Sequence, residues 1–220
     1  QGKKFLGCQT HVSFSNKKGT QFTDPRPINL DDRIKTKNNW LWRLTWNGAI
    51  AYGAIYHVNE KLGAVDTGTI SLVTTTDGIN YELASKLNIE GRPNEVTIRF
   101  ISDGEMLMLI RREKGNRKAL LGKSKAPYKD WTYIEAPFFI GGPDFIALGE
   151  NRFVGGGRID GKTGIISFDA DGNFKKVLDL PSNSDSSYPG FVLRKNQLFI
   201  SYYSSHETEK TSIYLAHLPL

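Results

Sequence analysis

One kind of turn segment recurs along this 220-residue chain, and its spacing restricts the fold more than any other feature. "SNKKGTQF" starts at Ser15, "TTDGINY" at Thr75, "SKAPYKDW" at Ser124 and "SFDADGNF" at Ser167. Each opens on Ser or Thr and closes on an aromatic six or seven positions later. "TSIYLAHL", from Thr211, reads as a fifth copy that stops before its turn. The start-to-start spacings are 60, 49, 43 and about 44 residues. Between the turns lie short apolar or alternating runs such as "LWRLTW", "AIAYGAIYHV", "TISLVTT", "EVTIRFI", "MLMLIRR", "GIISFD" and "LFISYYS". Helical periodicity is nearly absent. Alternation at period two is the signature of strands, and repeats of about this length with four strands each are propeller blades.

The turn chemistry supports this. Ser, Thr and Asp side chains bond nearby backbone amides in the turn between a blade's last two strands, and the trailing aromatic packs between neighbouring blades. Residues 1–35 then supply the last two strands of a blade, 40–90, 94–140 and 143–181 supply full blades, and 185–220 supply three strands. That is roughly 17 strands, against about 20 for a closed ring of five blades and 24 for six. The expectation is an all-β chain forming a single β-propeller domain over 1–220, incomplete at its N-terminus. Strand edges left open would pair with the missing segment or with a second copy in a homo-oligomer.

Composition narrows the function. The net charge is +6, from 29 Lys and Arg against 23 Asp and Glu. Such a balance suits anionic partners, yet the basic residues are scattered with no run of five or six, so nucleic acid is not the expected partner. No apolar run reaches the roughly 18 residues of a membrane span. The single cysteine, Cys8, and four isolated histidines offer no metal-ligand spacing, and no cofactor is expected.

"PNEVTIRFISDGEMLMLIRREKGNRKALLGKS" (93–124) places a Glu before one strand, a loop at Ser102–Gly104, and an arginine pair at the end of the next strand. "FVGGGRIDGKTGIISFDADG" (153–172) places Arg158 ahead of a turn, and "SSYPGFVLRKNQLFISYYSS" (186–205) carries Tyr188. In this order, and with S-x-D-x-G-x-x-W-like turns ("Asp boxes"), the chain resembles the sialidase (neuraminidase) superfamily. "WLWRLTWNGAIAYGAIYH" resembles bacterial sialidase-like proteins of unassigned substrate. The resemblance implies a six-bladed propeller of which about four to five blades are present. It also implies secreted or periplasmic placement and hydrolysis of a terminal sugar of a glycan, with uronic or other acidic sugars and neutral ones all left open. Tyr188 would be the nucleophile and Glu95 the carboxylate that takes its proton. Arg111 or its neighbour Arg112, with Arg158, would clamp the substrate carboxylate. A neutral tyrosine avoids the repulsion that a carboxylate nucleophile would meet from an anionic sugar, but with a pKa of ~10 it needs an adjacent base. Arginine's planar fork suits a carboxylate. Three features depart from the pattern, and one is that "WLWRLTWNGAIAYGAIYH" is not a motif of ordinary sialidases. The family's first arginine and acid/base aspartate would precede this chain, and Tyr188 is followed by Pro189–Gly190 rather than a small polar residue. A non-catalytic glycan- or protein-binding propeller, or an inactive fragment of the hydrolase, therefore stands as the alternative.

Further candidates for the substrate site are Arg43, which could instead pair with Asp31 or Asp32, and Tyr52 and His57 on the following strand. Asp144 in "GGPDF" is a substrate-contacting acid or an Asx turn. One of the pair before His206 should face inward, and Tyr203 is taken as that residue. Trp40, Trp42 and Trp46 alternate onto one strand face, where at least two are expected to pack between blades.

Overall fold

The computed structural model describes residues 7–57, 69–101, 104–183, 185–208 and 210–220. Ser102 and Asp103, read above as most of a loop, lie outside the described residues. All regular structure among them is β-strand, and the chain is an all-β protein of the β-propeller class. No helix of the described residues is long and apolar enough to cross a membrane. Contacts cluster into two compact units, residues 1–94 and 95–220.

In the first unit, β1 (His11–Val12) pairs with β2 (Arg26–Pro27). An antiparallel meander runs through β4 (Asn39–Asn47), β5 (Ile50–His57), β6 (Thr69–Thr75) and β7 (Asn80–Asn88), and β3 (Asn29–Leu30) adds to β7 in parallel. Ile28, Ile34, Leu41, Ile55, Val73 and Tyr81 form its core. The 75–81 turn is held as the sequence suggests. Thr75 Oγ1 accepts the Gly78 amide at 2.9 Å, and Asp77 Oδ1 accepts the amides of Ile79 and Asn80 at 2.7 and 2.8 Å. These amides hold the Asp77 carboxyl well below the usual carboxylate range. Tyr81, the closing aromatic, is buried and donates to Gly78 O.

Two expectations fail in this unit. Phe22, which closes the first turn, is 68% exposed rather than packed between blades. Its turn sits on a two-residue ladder with no long strand to press the ring inward. Trp40 and Trp46 are exposed at both ends of β4, Trp40 stacking on Tyr56 at 6.4 Å. A register shift between Leu41 and Leu44 breaks the alternation that put the tryptophans on one buried face.

The second unit contains three antiparallel meanders. The first joins β8 (Pro93–Phe100), β9 (Met106–Arg112), β10 (Leu120–Ser124) and β11 (Thr132–Glu135). The second joins β12 (Gly141–Gly149), β13 (Arg152–Ile159), β14 (Lys162–Phe168) and β15 (Lys175–Asp179). The third joins β16 (Ser186–Arg194), β17 (Gln197–Ser204) and β18 (Ser212–Pro219). The 124–131 and 167–174 turns join third to fourth strands, as 75–81 does in the first unit. Between the first two sheets lies a core of Leu107, Leu109, Leu121, Ile140, Phe145, Phe153, Ile166 and Phe168. Val154, Ile165, Phe191, Leu198, Ile200 and Tyr202 fill the space between the second and third. The Gly155–Gly157 run lets neighbouring backbones approach β13. A Cβ at Gly155 would stand 2.6 Å from Asp144 O, one at Gly156 2.4 Å from Gly164 O, and one at Gly157 2.6 Å from Gly141 O.

Candidate active site

Glu95 is the third residue of β8, an edge strand of its sheet, and is 6% exposed. A carboxylate so buried must be paired, and both oxygens are engaged. Oε2 accepts Arg111 Nη1 at 2.7 Å and the Gly142 amide at 2.8 Å, while Oε1 accepts the Tyr188 hydroxyl at 2.8 Å. Arg111 Nη1 also lies 3.3 Å from the Tyr188 oxygen. The three side chains come from β8, β9 and β16, 93 residues apart at the extreme.

Tyr188 is held from both sides. One ring face stacks on Tyr203, with centroids 5.8 Å apart and planes 16° from parallel. Gly142 closes against the ring, and a Cβ there would fall 2.6 Å from Tyr188 Cδ1. Gly142 has φ +62°, which favours glycine in any case. The backbone at the tyrosine is strained: Ser187 has φ +120° and Tyr188 φ +49°, where β16 shifts register between Ser187 and Gly190. Conformations of this kind cost about 1–3 kcal/mol and persist where the surroundings over-determine them. Ser187→Gly is therefore expected to raise the unfolding free energy by about 1 kcal/mol, after allowing for glycine's greater unfolded-state entropy. Denaturant titration checks this, and an unchanged or lower midpoint would mean that Ser187 is not strained.

Burial, then the neighbouring Glu95 carboxylate, push the Tyr188 phenol up to about 12, against the opposing pull of Arg111. The hydroxyl is thus neutral and aims its proton at Glu95. Burial disfavours the Arg111 charge, but Glu95 and Glu113 more than offset this and hold it above its ordinary value. Arg111 Nη2 bonds Glu113, and the guanidinium lies over the Phe139 ring at 5.5 Å.

Arg158 and Tyr203 form a second cluster beside Tyr188. Arg158 Nε donates to Ser186 O at 2.9 Å, and Nη2 donates to the Tyr203 hydroxyl at 2.9 Å and lies 3.5 Å from Asp185. The Tyr203 hydroxyl donates to Asp185 Oδ1 at 3.0 Å.

The other expected site residues have the following surroundings. Arg112 points away from Arg111, as neighbours on a strand must, and donates to Lys118 O, Asn116 and Glu135. Asp144 is 2% exposed, accepts Arg99 Nη2 at 2.8 Å and the Phe145 amide, and lies in β12 rather than in a loop turn. Arg43, Tyr52 and His57 belong to the first unit. There Thr36 Oγ1 meets His57 Nδ1 at 2.8 Å, and burial holds the imidazole below its usual value. The acids proposed as partners for Arg43 have near neighbours of their own, Asp31 with Arg33 and Asp32 with Lys35. His206 is half-buried against Tyr214. Sequence reading missed Glu113, Asp185, Phe139 and Gly142. Only the "RRE" and "SDSSY" contexts hinted at the two acids.

No family model and no curated protein matches the chain. Solved structures do. A protein of unknown function from Dyadobacter fermentans superposes with a TM-score of 0.74 at 16% identity, over 94% of this chain and 62% of its own. An α-L-arabinofuranosidase from Fusarium graminearum, in complex with an iminosugar inhibitor, gives 0.68 at 13%, over 95% and 67%. An exo-β-1,3-galactanase from Phanerochaete chrysosporium gives 0.55 at 12%, over 96% and 53%. The chain spans less than two thirds of the first and third of these proteins. At such identities the likeness shows the fold alone. It corrects the family expectation, because the glycosidase neighbours are of the arabinanase and galactanase type (GH43 and GH93) rather than sialidases. Turn chemistry and strand-end arginines follow from blade geometry and do not by themselves separate one propeller family from another. The fold is that of glycoside-hydrolase-like β-propellers.

Proposed function

We propose that the chain carries the nucleophilic half of a glycoside hydrolase centre, with Tyr188 as nucleophile and Glu95 as its base. The observation that carries this reading is the 2.8 Å hydrogen bond from the neutral Tyr188 phenol to Glu95 Oε1. Arg111 and the Gly142 amide hold the other carboxylate oxygen. Glycoside-hydrolase neighbours of the same fold support a glycan-active reading, while the tyrosine's role rests on this geometry alone.

As the phenol oxygen attacks the anomeric carbon, its proton passes to Glu95 Oε1 and the bond to the leaving group breaks. The leaving oxygen takes its proton from a general acid outside this pair. Arg111 Nη1, 3.3 Å from the tyrosine oxygen, stabilises negative charge developing there. In the second step, water attacks the same carbon and the conjugate base of that acid takes the water's proton. The tyrosine departs and recovers its own proton from Glu95. Two displacements retain the anomeric configuration.

The test is covalent trapping. Incubation with 2-deoxy-2-fluoroglycosyl fluorides of several sugars should add one glycosyl mass to the peptide containing Tyr188. Label on no peptide, or on a carboxylate, with turnover intact would remove the tyrosine from the mechanism. Binding of the sugars with neither label nor turnover would favour a non-catalytic glycan-binding propeller.

A further inference from the structure

We infer that this site takes a neutral sugar rather than an acidic one. The inference rests on reading Tyr188 and Glu95 as the reacting pair and concerns what the surrounding charges recognise. A substrate carboxylate needs a guanidinium that presents two parallel donors. Neither arginine beside Tyr188 presents such an edge. Arg111 spends Nη1 on Glu95 and Nη2 on Glu113, and its Nε is shielded from solvent. Arg158 commits Nε to Ser186 O and Nη2 to Tyr203 and Asp185.

The charges are already balanced among these groups. Arg111 and Arg158 face Glu95, Glu113 and Asp185, and Arg117 adds a third guanidinium 3.4 Å from Glu113. The buried Arg99–Asp144 pair is neutral in itself. An incoming uronate would have to displace a carboxylate from its arginine. A neutral sugar meets no such obstacle and can hydrogen-bond the carboxylates through its hydroxyls. Its ring can also lie against aromatic faces.

Asp185 is the part of this arrangement open to adjustment. Its side chain is 72% exposed and its contact with Arg158 is 3.5 Å, whereas Glu95 is buried.

The experiment compares matched sugars that differ only at C6: D-galactose with D-galacturonate, and D-glucose with D-glucuronate. Each is titrated calorimetrically into the wild-type chain at low and moderate salt. At least one neutral sugar is expected to bind tenfold or more tightly than its uronate. In Asp185→Asn, which leaves Arg158 without its acid, the gap should narrow by threefold or more. Glu113→Gln, which releases Arg111 Nη2, should narrow it as well and covers a failure of the first variant to fold. A uronate binding as tightly as its neutral partner in the wild type would overturn the inference, as would binding of none of the four sugars. Failure of the hydrolase reading is separate. If Tyr188→Phe turned glycosides over as fast as wild type while the neutral preference held, the mechanism would fall and the sugar class would stand.

Discussion

Tyr188→Phe should reduce kcat on any glycoside the protein cleaves by about 10³-fold or more, while the variant stays folded. Loss of a nucleophile leaves only binding and electrostatic assistance, and effects of this order are usual. The structural cost is small because the ring is unchanged. It still stacks on Tyr203 and still fits against Gly142. What is lost is one hydrogen bond to Glu95 Oε1, worth about 1–3 kcal/mol in a buried site. Circular dichroism and the denaturation midpoint separate the two effects. A variant that keeps a tenth of wild-type kcat would exclude Tyr188 as nucleophile. The phenol also marks the alkaline limit of the fold. Its folded pKa, about 12, lies above the ordinary tyrosine value of ~10. Its contribution is therefore fully present below pH ~10 and is lost as pH rises through the folded value. The Phe variant should lack that part of the alkaline loss.

Gly156→Ala is expected to destabilise the fold by about 3 kcal/mol, or roughly 10 °C in Tm. The added Cβ would stand 2.4 Å from Gly164 O and 3.2 Å from Ile165 Cδ1. The first of these is backbone in the neighbouring strand, where Gly156 pairs with Ile165 and Gly157 with Gly164. It cannot swing aside as a side chain would, so β13 and β14 must separate or β13 must twist. The same strand carries Arg158 two residues on, and the distortion should reach the Arg158–Tyr203 contact. Chemical denaturation and thermal melting both measure the effect. A variant within 1 kcal/mol of wild type would show that the two strands yield more easily than their ladder implies.

Much of the architecture was legible because strands declare themselves locally. Alternation in "EVTIRFI" and "LFISYYS" marked the strands that became β8 and β17, and Ser, Thr and Asp in the turns marked the third-to-fourth hairpins. The parallel addition of β3 to β7 carried no such sign, since two residues show no period. The site was legible in part. The order of Glu95, Arg111 and Tyr188 suggested a shared centre, and the structure brings them within hydrogen-bond reach of one another. The family drawn from that order did not stand. The acids beside the two arginines were not legible either, because Glu113 and Asp185 look like ordinary surface acids until folding sets them against Arg111 and Arg158. The positive φ of Gly142 and Ser187 has no sequence sign at all.

Every sheet of the second unit is a meander of strands consecutive in the chain, so each hairpin closes a short loop of modest entropic cost. The hydrogen bond between Tyr188 and Glu95 instead spans 93 residues and joins the first sheet of the unit to the last. Such topology separates two events in time. The blades can collapse early from local pairings, but the centre exists only once the first and third sheets have both docked on the second. During refolding, far-UV signal should therefore return before the tyrosine finds its partner, and the chemistry would be the last property the chain recovers.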